Sequence, residues 1–499
     1  MSRFKLIRNL ASRRILVLIA ILLLYGSVLI YNTHKPLPKG VSYAGSIHHI
    51  PESGLELLND LTYPDAAGRV SDQRLFARML QAIREAERFI VLDMFLYNGF
   101  YDKEQSFPAL SRSLTEALIT RKKERPDLAV TVITDDVNTS YGSHPNPELE
   151  LLKQAGIPVS ITDVDPLRDS NPLYTAAWRL TARWFGQEGR GWLPNKMASE
   201  APDMTVRSYL KLLNAKANHR KVLITETTLV VTSANAHDAS FHNSNSGYAV
   251  SGSPGLIRDA LRTEQAALAM SGQGSTIKLP VHWPAPLEEG GESGAGADAA
   301  EAQVGVQVLT EGKIREFILR DLGAAGAGDR IWLGMFYLAD RAVMRELLAA
   351  SGRGARVRLI LDPNEAAFGN SKIGVPNRPV AAELLKKSEG KISVRWYNTG
   401  EEQYHAKIML IAGGNGAVIH NGSANFTVRN LDDLNLETNL RIEAPAGSRT
   451  ELEAESYFER LWSNDGAQYT LDYTAYEEKT EPLKRILYQL QDWFGLTTF

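Results

Sequence analysis

The chain repeats itself, and no other feature of it limits the fold as much. The segment Tyr404–Asn425, YHAKIMLIAGGNGAVIHNGSAN, has an upstream counterpart in Asn218–Asp238, NHRKVLITETTLVVTSANAHD. In each, a histidine and a lysine stand two residues apart. An apolar run, a turn and a second apolar run follow, ending on Ser-Ala-Asn. Side chains alternate along a strand, so His219 and Lys221 are expected on one face, as are His405 and Lys407. Gly413, Gly414 and Gly416 supply one turn, and Glu226-Thr227-Thr228 a shorter one. The return strands carry Ser233 and Asn235, and Ser423 and Asn425, back beside the two His/Lys pairs. Base, cation, hydroxyl and amide then converge, a combination that suits an anionic ester.

The flanks repeat too. ERFIVLDMFLYN (Glu87–Asn98) matches DRIWLGMFYLAD (Asp329–Asp340), with Met94-Phe95 on Met335-Phe336. Each reaches a strand ending in acid, Ala129–Asp136 and Arg356–Pro363, followed by a helix and another strand. Strands alternating with helices predict an α/β chain of two halves, each a mixed sheet flanked by helices.

The duplicated motif resembles the H-x-K-x4-D…G-S-x-N pattern of the phospholipase D superfamily, over roughly residues 70 to 470. The resemblance implies two pseudo-symmetric halves packed face to face around one active site. It implies that His219 is the nucleophile and His405 the general acid and then base. A neutral imidazole can attack a phosphodiester to give a phosphohistidine, splitting one hard step into two. Two histidines with divergent pKa values supply both roles. Lys221 and Lys407 would neutralise the phosphate oxygens, and Ser233, Asn235, Ser423 and Asn425 would donate hydrogen bonds to them. The scheme needs no metal or other cofactor. The sequence departs from the pattern in four places. Glu226 stands for the first motif aspartate in a supporting role, and Ala412 replaces the second. Thr232 replaces the first motif glycine. Glu437 fits the downstream acid that orients a histidine, while its counterpart is read as Gly247.

Ile15–Tyr31 is a 17-residue run without charge, preceded by Arg3, Lys5, Arg8, Arg13 and Arg14. At 1.5 Å per residue it spans about 25 Å, close to a bilayer's apolar thickness. The basic flank predicts a cytoplasmic amino terminus and an extracytoplasmic body held at the cell membrane by one helix; a cleaved signal peptide is the alternative. The expected organisation is a basic tail (1–14), a transmembrane anchor (15–31) and a tether (32–65). There follow a first half (66–284), a flexible acidic linker (285–303), a second half (304–475) and a C-terminal amphipathic helix (476–499). Leu173–Trp192, with Arg179 and Arg183 among Trp178, Trp184 and Phe185, reads either as a core helix or as a lipid-facing one.

With both motifs in one chain, a monomer suffices. The chain has no cysteine, which suits a bacterial exported protein that needs no disulfide. Its net charge of −3 lacks the basic footprint of a nucleic-acid enzyme. The expected function is a phospholipid phosphodiesterase working by hydrolysis or phosphatidyl transfer. The alternatives are a membrane-tethered nuclease with the same site, a cardiolipin synthase-like transferase, and a non-catalytic lipid-binding scaffold.

Overall fold

The computed structural model describes residues 2–476 apart from 66–67, 103, 188, 282–301, 368–369 and 372–373. The acidic linker expected over 285–303, but for its last two residues, and the C-terminal helix expected over 476–499, but for its first, lie outside the described residues.

Two mixed sheets dominate. Across its width, the seven-stranded sheet runs Leu55–Asn59, Ser246–Ser251, Thr228–Thr232, Lys221–Thr225, Phe89–Met94, Ala129–Thr134 and Val159–Ile161. The second sheet repeats that order with Gln303–Thr310, Thr438–Ala444, Gly416–Gly422, Lys407–Gly413, Arg330–Met335, Arg356–Leu361 and Ile392–Tyr397. It gains His48–Pro51 at one edge and Thr470–Asp472 at the other. The Met-Phe dyads matched by sequence are also matched by register, since Met94 pairs with Lys221 and Met335 with Lys407.

The central strands are apolar on both faces, as strands covered on both sides must be. Val222, Ile224 and Val231 share a core with Ile408, Leu410 and Ile419 of the other half, whereas Leu223 and Val230 turn outward against helices. Met409 and Ile411 do the same in the second half. The two halves meet through a shared apolar interior to which helices Pro254–Met270 and Arg449–Ser463 also contribute, each touching strands of both sheets, while other helices cover the outer faces.

The stretch expected to act only as a tether enters both sheets. His48–Pro51 pairs with the second-half strand Gln303–Thr310, and Leu55–Asn59 with the first-half strand Ser246–Ser251. Each is only four or five residues long, too short to give a periodic signal. The N-terminal helix covers Ser2–His34, longer than the apolar run alone. Arg13–His34 is long and apolar enough to cross a membrane. The helix expected over Leu173–Trp192 stops at Leu180 and continues as a short 3₁₀ turn, Ala182–Phe185.

Candidate active site

Each His-x-Lys segment is fixed from behind by a buried acid at the end of a neighbouring strand. Asp135 accepts the N–H of Asn218 (2.7 Å), and Asp362 accepts that of Tyr404 (2.7 Å), the residues just before the two histidines. Burial pushes both acids up to about 7. Each histidine is then gripped by the opposite half: His219 N–H donates to Leu436 O (2.9 Å), and His405 N–H to Ser244 O (2.8 Å).

The residue after each of these carbonyls orients the ring. His219 Nδ1 meets Glu437 at 2.9–3.0 Å, and His405 Nδ1 meets Asn245 Oδ1 at 3.3 Å. The Asn245 amide donates to Asn243 O (3.0 Å), which fixes Oδ1 as the acceptor. Both rings therefore donate from Nδ1, and Nε2 has no side-chain partner among the described residues. The counterpart of Glu437 is thus Asn245, two residues before the Gly247 expected from sequence. Strand register explains why. Thr232 pairs with Gly247, and Gly422 pairs with Asn439. A side chain at Gly247 would press on Thr232, and one at Gly422 on Asn439 and the Thr438 carbonyl. The departures at Thr232 and Gly247 are one compensated exchange of bulk between adjacent strands.

Lys221 and Lys407 are buried, and each Nζ donates to the carbonyl of its own motif histidine (2.6 and 2.7 Å). Phe95 and Phe336 lie against both members of each pair. Their rings are 4.7 and 5.0 Å from His219 and His405, and 4.9 and 5.3 Å from the lysine nitrogens. Burial lowers Lys221 to about 7 and lowers Lys407 well below the usual lysine range. Burial, together with the two lysines, also holds His219 and His405 well below the usual imidazole range. Burial pushes Glu437 up to about 7 against the pull of Lys221 and of its hydrogen bonds.

The motif serines are placed differently from expectation. Ser423 Oγ donates to Glu437 and accepts from Thr438 N–H (3.0 Å). Ser233 Oγ donates to Asn245 Oδ1 (3.3 Å) and accepts from Ser246 N–H (3.0 Å). Both hydroxyls serve the orienting residues rather than the cavity. Asn235 and Asn425 do line the cavity, and the Oδ1 of each has no hydrogen-bond partner among the described residues. Glu226 lies at the far end of its strand, where it accepts the backbone N–H groups of Glu87, Arg88 and Phe89. It anchors a neighbouring strand and does not join the site.

His219 and His405 line one cavity of about 860 Å³, with Phe95, Phe336, Asn235 and Asn425. Its walls include Leu96, Phe107, Met197, Leu212 and Leu213, so apolar surface surrounds the polar centre. Arg429, which the sequence reading passed over, also lines it. Its Nε and Nη2 are buried without hydrogen-bond partners, and burial lowers the guanidinium to about 10. A lone arginine carries no spacing signal that would have found it. His237 and His242 line the same cavity. Elsewhere His420 pairs with Asp321, and His48 with Asp259. Among the described residues no group of three or more His, Asp or Glu side chains is set to hold a metal ion.

Residues 318–462 match a family model described as "Cardiolipin synthase, PLD-like domain". The crystal structure of phosphatidylserine synthase from Haemophilus influenzae is similar at TM-score 0.53 and 14% identity, covering 94% of this chain and 97% of that one. Polyphosphate kinase from Porphyromonas gingivalis is similar at TM-score 0.43 and 13% identity, covering 89% and 53% of the two chains. The phospholipase D family member Nuc from Salmonella typhimurium is similar at TM-score 0.26 and 23% identity, covering 34% and 98%. No curated protein sequence matches the chain.

Proposed function

We propose, from the premise that this chain is a member of the phospholipase D superfamily, that it is a membrane-anchored phosphodiesterase acting on phospholipids by hydrolysis or phosphatidyl transfer. One observation carries the reading. Two rings from opposite halves share a cavity, and only His219 is backed by a carboxylate. The walls combine apolar side chains with Arg69, Lys196 and Arg429, which suits a lipid with an anionic headgroup; a nucleic-acid strand, which uses basic grooves with stacking aromatics, is the alternative that the DNA arm of the test decides.

His219 Nε2 attacks phosphorus while its Nδ1–H stays on Glu437. The P–N bond forms, and the bond to the departing headgroup oxygen breaks. His405 Nε2 gives its proton to that oxygen. Water or an alcohol then attacks the phosphohistidine, loses its proton to His405, and releases phosphatidate or the exchanged lipid with His219 regenerated. The carboxylate behind His219 stabilises the cationic phosphorylated ring, so it selects His219 as the nucleophile. His405 has a neutral amide behind it and sits beside two buried lysines. The bound phosphodiester is an anion beside both rings, which raises the His405 pKa and charges this ring when it must act as an acid.

The test is to incubate the full chain with phospholipid vesicles plus ethanol, and separately with single-stranded DNA. Phosphatidylethanol supports transfer and phosphatidate supports hydrolysis; shortened DNA with neither lipid product refutes the reading. His219→Ala and His405→Ala are each expected to abolish turnover, and no phosphoenzyme should form on His219→Ala. Near-full turnover by either variant would overturn the shared-site mechanism.

A further inference from the structure

The duplication is unequal in one place. Between the last strand of each parallel set and its His-x-Lys segment, the second half uses a short connection, 398–403, whereas the first half inserts 162–217. Among the described residues, six of the nine exposed large apolar side chains outside the N-terminal helix lie on this insertion: Leu173, Trp184, Phe185, Trp192, Val206 and Leu213. Trp184, Phe185 and Trp192 are 77%, 70% and 68% exposed, a concentration of bare aromatic surface that a soluble face seldom shows.

The insertion is docked on the N-terminal helix, and the contacts change character along it. At the helix's carboxyl end they are polar: Asp169 N–H donates to Asn32 O (3.1 Å), Arg168 Nε to Lys35 O (3.1 Å), and Lys35 Nζ to Asp165 O (3.0 Å). Further in, the Tyr25 hydroxyl donates to Leu173 O (2.7 Å). Tyr25 lies six residues inside the apolar run that ends at Tyr31, a depth of about 9 Å. Helix Pro172–Leu180 packs on this part of the N-terminal helix, whose residues 15–24 stay exposed. The insertion also reaches the site. Met197, Leu212 and Leu213 line the catalytic cavity, and Leu213 is at once a wall of the cavity and 51% exposed.

We propose that the 162–217 insertion is seated in the bilayer leaflet nearest the catalytic body, so that a lipid reaches His219 by way of Leu213 without leaving the membrane. Trp184 and Trp192 sit at interfacial depth, as amphipathic rings do, with the apolar ring of Phe185 beside them. The acyl chains stay against the apolar side chains of the insertion, and only the headgroup end enters the cavity. The inference rests on the membrane-anchored reading above.

The chain has no cysteine, so single cysteines can carry nitroxide labels in the full-length protein in lipid nanodiscs. Ile21→Cys reports the anchor, Trp184→Cys and Phe185→Cys the insertion, and Leu452→Cys an exposed apolar position elsewhere. Labels at 21, 184 and 185 are expected to be relaxed by oxygen and shielded from an aqueous nickel chelate, with 452 the reverse. If 21 is shielded while 184 and 185 behave as 452 does, the insertion is not in the bilayer and the proposal fails alone. If 21 is also aqueous, the anchor fails and takes the proposal with it. These readouts do not depend on catalysis, so inactivity toward phospholipid would overturn the functional reading and the lipid route past Leu213 while leaving the seating of the insertion to be decided by the labels. Because labelling could disturb folding, the unmodified chain is tested too. Brominated lipid should quench its tryptophan emission by a larger fraction than that of Trp184→Phe/Trp192→Phe, and equal quenching would refute seating.

Discussion

Replacing Glu437 by glutamine keeps the shape of the site and removes one charge. Glu437 is fully buried, and three donors point at it: His219 Nδ1–H, Ser423 Oγ–H and Asn430 Nδ2–H. A carboxylate can accept from all three, whereas an amide offers one oxygen and turns two hydrogens toward groups that are already donors. The larger loss comes when the ring becomes phosphorylated and cationic. Two unit charges about 4 Å apart, at an effective dielectric of about 20, attract by about 4 kcal/mol. Because that attraction exists only once the ring is charged, it appears in kcat, and its removal slows turnover about 10³-fold. The assay is headgroup release at pH 8, above the Glu437 value of about 7, with circular dichroism to confirm folding. A folded Glu437→Gln enzyme within about tenfold of the parent would refute the assignment of the carboxylate to the nucleophile.

The other expectations are simpler. Asn245→Asp places an anion behind His405, which stabilises the protonated ring and raises its pKa; the alkaline limb of the kcat–pH profile should move to higher pH, and an unmoved limb would deny His405 the acid role. Arg429→Gln removes a half-buried guanidinium whose Nε and Nη2 have no partner among the described residues, unmet donors that cost about 1–3 kcal/mol each, so the melting temperature should rise while KM for phospholipid also rises; a lower melting temperature would show that the guanidinium is satisfied. Glu226→Ala frees three backbone N–H groups in a partly exposed turn, for a loss of about 1–2 kcal/mol by denaturant titration, with kcat/KM retained by the folded enzyme; a large fall in kcat/KM would place Glu226 in the site after all.

The strands and the His/Lys pairs were legible in the sequence because their signals are local: short continuous apolar runs, turn residues and a spacing repeated twice. What connects the halves was not. Asn245 was missed because its equivalence to Glu437 depends on which residues face each other across Thr228–Thr232 and Ser246–Ser251, and aligning apolar patterns slips by two residues there without penalty. The serine hydroxyls were assigned to substrate because their motif sits beside the histidines; only the fold shows that they are already bonded to Asn245 and Glu437. The acids closing Ala129–Asp136 and Arg356–Pro363 were noticed without a role, since their partners, the N–H groups of Asn218 and Tyr404, lie 83 and 42 residues away.

The short strands His48–Pro51 and Leu55–Asn59 also bear on how such a polypeptide comes into being on the ribosome. The first must wait for Gln303–Thr310, some 250 residues downstream, before it has a neighbour to hydrogen-bond. During synthesis the leading portion thus carries an unpaired edge that only the trailing portion can close. A protease cut between residues 282 and 301 would leave two fragments still stitched together by this segment, whereas a truncation ending there would leave His48–Pro51 without its neighbour while Leu55–Asn59 keeps Ser246–Ser251.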